Sequence, residues 1–134
     1  MERNYEVYEQ ILEAVMNILR AEEKEDRERS RKMQPTIRSY TPTISEITTL
    51  LASMASGIYK LKLVKQLDEQ LLGLYPREHP SYQNLVLGYQ ALEQTLQNRQ
   101  TAYRNYKNGL SKLYPEVVND LQPFLQHIEL SLLI

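Results

Sequence analysis

The chain has 134 residues, enough for one domain that buries roughly two thirds of its unfolded surface, and its net charge of −1 gives no global field to draw in nucleic acid or an anionic membrane. The absence of cysteine excludes disulfides, thiolate nucleophiles and sulfur-ligated metals. Met1-Glu-Arg-Asn-Tyr5 lacks a basic-then-apolar leader and no apolar run approaches the ~18 residues of a membrane span, so a soluble, cytoplasmic protein is expected.

A first helix is predicted from about Arg3 to Lys32, because Tyr5, Tyr8, Leu12, Val15 and Leu19 recur at alternating steps of three and four. From Ala21 to Lys32 the chain is charged all round, which reads as a solvent-exposed helical extension or a frayed end. Residues 1–34 are therefore an amino-terminal arm, and 35–43, with Pro35 and Pro42, a connector that could act as a hinge.

Thr43-Ile-Ser-Glu46 has the form of a capping box and opens a second helix. Its stripe runs Ile44, Ile47, Leu51, Met54, Ile58, Leu61, then Val64, Leu67, Leu71 and Leu74, with one slip in spacing between Leu61 and Val64 that rotates the buried face. Gly57 and its small neighbours Ala52, Ser53, Ala55 and Ser56 allow a close helix approach. Leu74-Tyr75-Pro76 ends this helix, and His79-Pro80 opens a third after a turn short enough to make the two an antiparallel hairpin.

The third helix carries the longest stripe, Tyr82, Leu85, Tyr89, Leu92, Leu96, Arg99, Tyr103, Tyr106, Leu110 and Leu113. Pro115 opens a fourth, with Val118, Leu121, Leu125 and Ile128 on one face and a kink or break expected at Pro123. The tail, Ile128 to Ile134, is apolar enough to need cover from the bundle or from another subunit. Leu-Tyr-Pro at 74–76 and 113–115 would fit a helical repeat of 39 residues, but proline after a helix end is common and coincidence is the simpler account.

No constellation of residues performs chemistry. His79 and His127 have no ligand-spaced partners, so no metal is expected and His79 reads as a capping or solvated turn residue. The carboxylates of residues 22–28 lie in a charged run with no pocket to shift a pKa, and the four glycines are too dispersed to cradle a phosphate. Neither an enzyme nor a cofactor is expected.

The surfaces say more. Ten tyrosines against one phenylalanine and no tryptophan suit half-buried positions and interfaces. Tyr5, Tyr8, Leu12, Tyr89, Arg99, Tyr103, Tyr106, Leu132 and Ile134 are the candidate residues for an oligomer or partner interface. Arg99 either fixes register within the seam or marks where two helices diverge, and Tyr103 and Tyr106 lie in the buried phase, which favours packing over base stacking. Arg27, Arg29, Arg31, Lys32 and Arg38 form a basic arm that could touch nucleic acid, against the simpler reading that they pair with acidic neighbours one turn away.

The expectation is thus an all-α, bundle-like fold: a long antiparallel hairpin within residues 44–134, flanked by an extended amino-terminal helix and a shorter fourth one. The expected function is structural or adaptor-like, acting by self-association, with a swapped amino-terminal arm, or by helix-mediated binding of another helical protein. A small nucleic-acid-binding or packaging protein using residues 27–38 is the alternative, with no membrane and no small-molecule substrate expected.

Overall fold

A computed structural model describes residues 5–38 and 43–132, except for the side chains of 33–38 and 130–132. Four helices follow in order: α1 (Tyr5–Arg38), α2 (Ile44–Leu74), α3 (Pro80–Leu113) and α4 (Pro115–Leu132). The fold is the all-α bundle that the stripes predict. Helix α2 is its axis, packed against α1, α3 and α4 in turn, and it is correspondingly buried on several sides, from Ile47, Leu50 and Leu51 to Val64 and Leu71.

The boundaries follow from local chemistry. Thr43 Oγ1 accepts the Glu46 amide at 3.1 Å, as the sequence implies, while Glu46 reaches back to the Thr43 hydroxyl, which donates to it at 3.2 Å, rather than to the Thr43 amide. Both Leu-Tyr-Pro copies end their helices in one way: Tyr75 N–H donates to the Leu71 carbonyl at 3.3 Å and Tyr114 N–H to that of Leu110 at 2.7 Å. The following prolines cannot extend the helical pattern into the turn. His79 caps α3, its Nδ1 accepting the Ser81 amide at 3.1 Å.

Three sequence expectations are corrected. Helix α1 runs through Pro35 to Arg38 instead of stopping before a connector at 35. The ring leaves the Arg31 carbonyl without its usual donor, but Arg31 is exposed and water can serve it. Helix α4 likewise continues through Pro123, which lies on its exposed side, so the break expected there is absent. In the second half of α2 the buried positions are Val64, Asp68, Leu71 and Tyr75, while Leu67 is exposed and Leu74 only partly covered. The slip after Leu61 is real in its effect, and Val64 and Leu71 hold their expected places, but Asp68 and Tyr75 take the covered positions in place of Leu67 and Leu74.

The main core joins Leu51, Met54, Ile58 and Leu61 of α2 to Leu92, Leu96, Tyr103, Tyr106 and Leu110 of α3 and to Val118, Leu121, Leu125 and Ile128 of α4. Each fully covered side chain of this size contributes about 1.5–3 kcal/mol. Tyr103 reaches across to α4, where its hydroxyl donates to Glu129 Oε1 at 3.3 Å beside the Lys107–Glu129 ion pair. Burial, and then the Glu129 carboxylate, push the Tyr103 phenol well above its ordinary range, so it remains a neutral donor.

Asp68 is the anomaly of this core. It is 6% exposed and has no hydrogen bond or ion pair to another described residue, and burial alone pushes its carboxyl pKa up. A raised folded-state pKa means that Asp68 costs nothing below its unfolded value, and that its penalty grows as pH rises through the folded value. Asp68→Asn should therefore stabilise the chain at pH 7, by about 1 kcal/mol, with the gain vanishing below about pH 4. Paired thermal melts of the two proteins across pH 3–8 check this.

Candidate docking surface and the charge cluster that orients it

Helix α1 has two faces with separate tasks. The inner face begins as Tyr5, Tyr8, Leu12, Val15 and Leu19. Tyr5 packs tilted against Tyr75 and His79 at ring distances of 5.1 and 4.5 Å, and Tyr8 meets Tyr75 edge-on at 5.8 Å, so the start of α1 is seated over the α2–α3 turn. The same three–four rhythm then continues as Glu22, Asp26 and Arg29, and the seam changes from apolar to ionic without changing phase.

That ionic half is the largest departure from the sequence reading. Glu22 is 1% and Arg29 5% exposed, so the charged stretch is neither a free extension nor a frayed end. Arg29 Nη2 pairs with Glu22, and Arg29 Nη1 donates to the Ser53 carbonyl at 3.3 Å and hydroxyl at 3.2 Å. Arg99 of α3 donates to Glu22 Oε1 at 3.0 Å and lies 3.3 Å from Asp26. Lys60 of α2 meets Glu25 at 3.6 Å. Glu22, Glu25 and Asp26 thus face Arg29, Lys60 and Arg99, and the cluster is neutral as a whole. Charges taken out of water hold only when paired in this way.

Gly57 makes the cluster fit. A methyl group there would overlap Glu22 Oε1 and stand 2.9 Å from Arg29 Nη2. Gly57→Ala should therefore destabilise the chain by about 1–3 kcal/mol despite a gain of about 1 kcal/mol in helix propensity. Gly109→Ala, where an added carbon meets nothing within 4 Å, should instead stabilise by up to about 1 kcal/mol. Chemical denaturation of both variants shows whether the signs are opposite.

The outer face of α1 displays Val7, Ile11, Ala14, Ile18 and Ala21, again at steps of four and three. The Glu25–Lys60 bridge fixes where this stripe lies. Ile18, Ala14, Ile11 and Val7 precede Glu25 by 7, 11, 14 and 18 residues and share its side of α1, while Leu63 and Leu67 follow Lys60 by 3 and 7 and share its side of α2. The two helices run antiparallel from that bridge, so both stripes flank one side of the pair. Val7, Ile11, Ile18, Leu63 and Leu67 are between 37 and 46% exposed, which makes this side an apolar surface without cover in the single chain.

The predicted site residues divide accordingly. Tyr5, Tyr8 and Leu12 are half-buried against the α2–α3 turn. Tyr103, 1% exposed, and Tyr106 belong to the core of the chain itself, which places them away from any partner. Tyr89 is half-buried, with Lys65 Nζ 5.6 Å from its ring centre. Arg99 reaches from α3 to Glu22 and Asp26 of α1. Of the basic arm, Arg27, Arg31 and Lys32 are exposed, but Arg29 is committed to Glu22 and turned away from solvent. The side chains of Arg38 and Leu132, and Ile134 altogether, lie outside the described residues.

Among the described residues no helix is long and apolar enough to cross a membrane, and no group of histidine and acidic side chains is placed to hold a metal ion. Comparison of the chain with protein-family models, with curated proteins and with solved structures finds no match.

Proposed function

We propose that this is a non-catalytic helical protein that works by association, with the outer face of α1 as its contact surface and a second copy of the chain as its first partner. One observation carries the reading: the exposed stripe is symmetric about Ala14 to within one residue. Val7 and Ala21 lie 7 residues either side of it, Ile11 lies 3 before and Ile18 4 after, and an antiparallel copy crossing at Ala14 would bring Ala14 against itself and Ile11 to within one residue of Ile18. A two-fold interface requires such self-complementarity. Gln10 and Asn17 beside the stripe are uncharged, so identical helices meet without like-charge repulsion there, and alanine at the centre permits close approach. Leu63 and Leu67 widen the surface beyond one helix.

The cysteine-free chain permits a direct test. Ala14→Cys should form an intermolecular disulfide under mild oxidation, whereas Val7→Cys alone should not. A mixture of Val7→Cys and Ala21→Cys chains should cross-link with each other. Cross-linking of Val7→Cys with itself would mean a parallel pair, and no cross-link at position 14 would remove this interface. Nucleic-acid binding through residues 27–38 is less supported, because its basic arm loses Arg29.

A further inference from the structure

Beside the exposed stripe, on the inner face of α1, a half-open crevice of about 280 Å³ separates α1 from α2 and α3. Its walls include Leu12, Val15 and Leu19 of α1 and Leu85 of α3, and its polar lining comes from Asp68, Ser81 and Asn84. Asp68 is more than nine-tenths buried and engages no other described residue. A carboxylate held among leucines loses hydration that nothing in the chain returns, and an arriving cation would return it.

The remaining groups narrow the ligand. Ser81 and Asn84 stand one turn apart on α3 and offer further oxygens that accept N–H, so with Asp68 there are three acceptors for the three hydrogens of a primary ammonium. An anion would meet the Asp68 charge, and a second cationic centre would lie against leucine. Gly88, on the Ser81 face of α3, keeps the crevice open, since a carbon added there meets nothing within 4 Å. The volume sits at the lower end of small-molecule sites.

We propose that this crevice binds a small primary alkylammonium, its charged end on Asp68 with Ser81 and Asn84 accepting the other hydrogens, and its carbon chain along Leu12, Val15, Leu19 and Leu85. The site uses the inner side of α1 and stands independently of self-association.

Titration of the full chain at pH 7 with n-hexylamine, followed by calorimetry and amide NMR shifts, tests it, with 1-hexanol and hexanoate as neutral and anionic probes. Hexylammonium should saturate the crevice and bind about tenfold or more tightly than hexanol, with hexanoate weakest. Asp68→Asn should weaken hexylammonium about tenfold and leave hexanol unchanged. Gly88→Leu should abolish binding of both while the protein remains folded, leucine being the better helix former. Absence of saturable hexylammonium binding, equal affinity for Asp68→Asn, or unaltered affinity of Gly88→Leu would each overturn the assignment.

Discussion

Arg29→Met should lower the stability of the chain by about 3–5 kcal/mol, the cost of leaving a buried carboxylate with too few cations. Arg29 contacts Glu22, Asp26 and Ser53 together, and after its loss Glu22 retains Arg99 alone. Glu22 Oε2 and Arg29 Nε are already buried without a partner, so the cluster has no spare hydrogen bond to give. A domain of this size is stable by about 5–15 kcal/mol, and the loss is a large share of it. In urea the midpoint should fall with the slope unchanged. Arg27→Met, two residues away but exposed, should move stability by less than about 0.5 kcal/mol. Because Arg29 and Arg99 hold the same Glu22 oxygen, Arg29→Met and Arg99→Met should not add. The cluster sets where α1 lies more than how strongly it is held. Desolvation offsets most of the attraction, but only the gap at Gly57 admits the Glu22 carboxylate, so sliding α1 by one turn would part its three carboxylates from Lys60 and Arg99 and would part Arg29 from Ser53.

Ile11→Glu combined with Ile18→Glu should weaken self-association at least about 100-fold while leaving the isolated chain intact. In the two-fold arrangement the two isoleucines come within one residue of each other at two equivalent places, so the double substitution puts four carboxylates into the centre of the contact. Like charges brought together there cost several kcal/mol, and 1.4 kcal/mol is a factor of ten. Neither isoleucine supports the core, since both are exposed in the single chain. Glutamate is also at least as good a helix former. Thermal melting of the wild type should depend on concentration and that of the double variant should not. An unfolded double variant would mean that the outer face of α1 is structural.

The stripes of α2, α3 and α4 were legible because each seam is built from leucine, isoleucine and tyrosine at helical spacing, and the helix ends because Thr43, His79 and the two Leu-Tyr-Pro segments use short-range chemistry. The ionic seam was hidden by composition. Glu22, Asp26 and Arg29 fall in the phase of Tyr5 through Leu19, yet charged residues read as solvated unless partners for them are known. Arg99 carried the missing signal: a cation in the apolar seam of α3 requires an anion in a facing seam. Gly57 suggested a close approach of helices, and what approaches is a carboxylate. Asp68 was overlooked in favour of Leu67 for the same reason, apolarity outranking phase. The outer stripe of α1 interleaves with the inner one, and nothing in a sequence states which of two apolar stripes a single chain leaves uncovered.

Sedimentation equilibrium of the unmodified chain from micromolar to millimolar concentration measures directly whether the α1 outer face meets a second copy. A weight-average mass rising from 15.8 kDa toward that of two chains is predicted, with a midpoint on the order of micromolar to tens of micromolar for a contact this small. A mass that stays at 15.8 kDa across the whole range would contradict it.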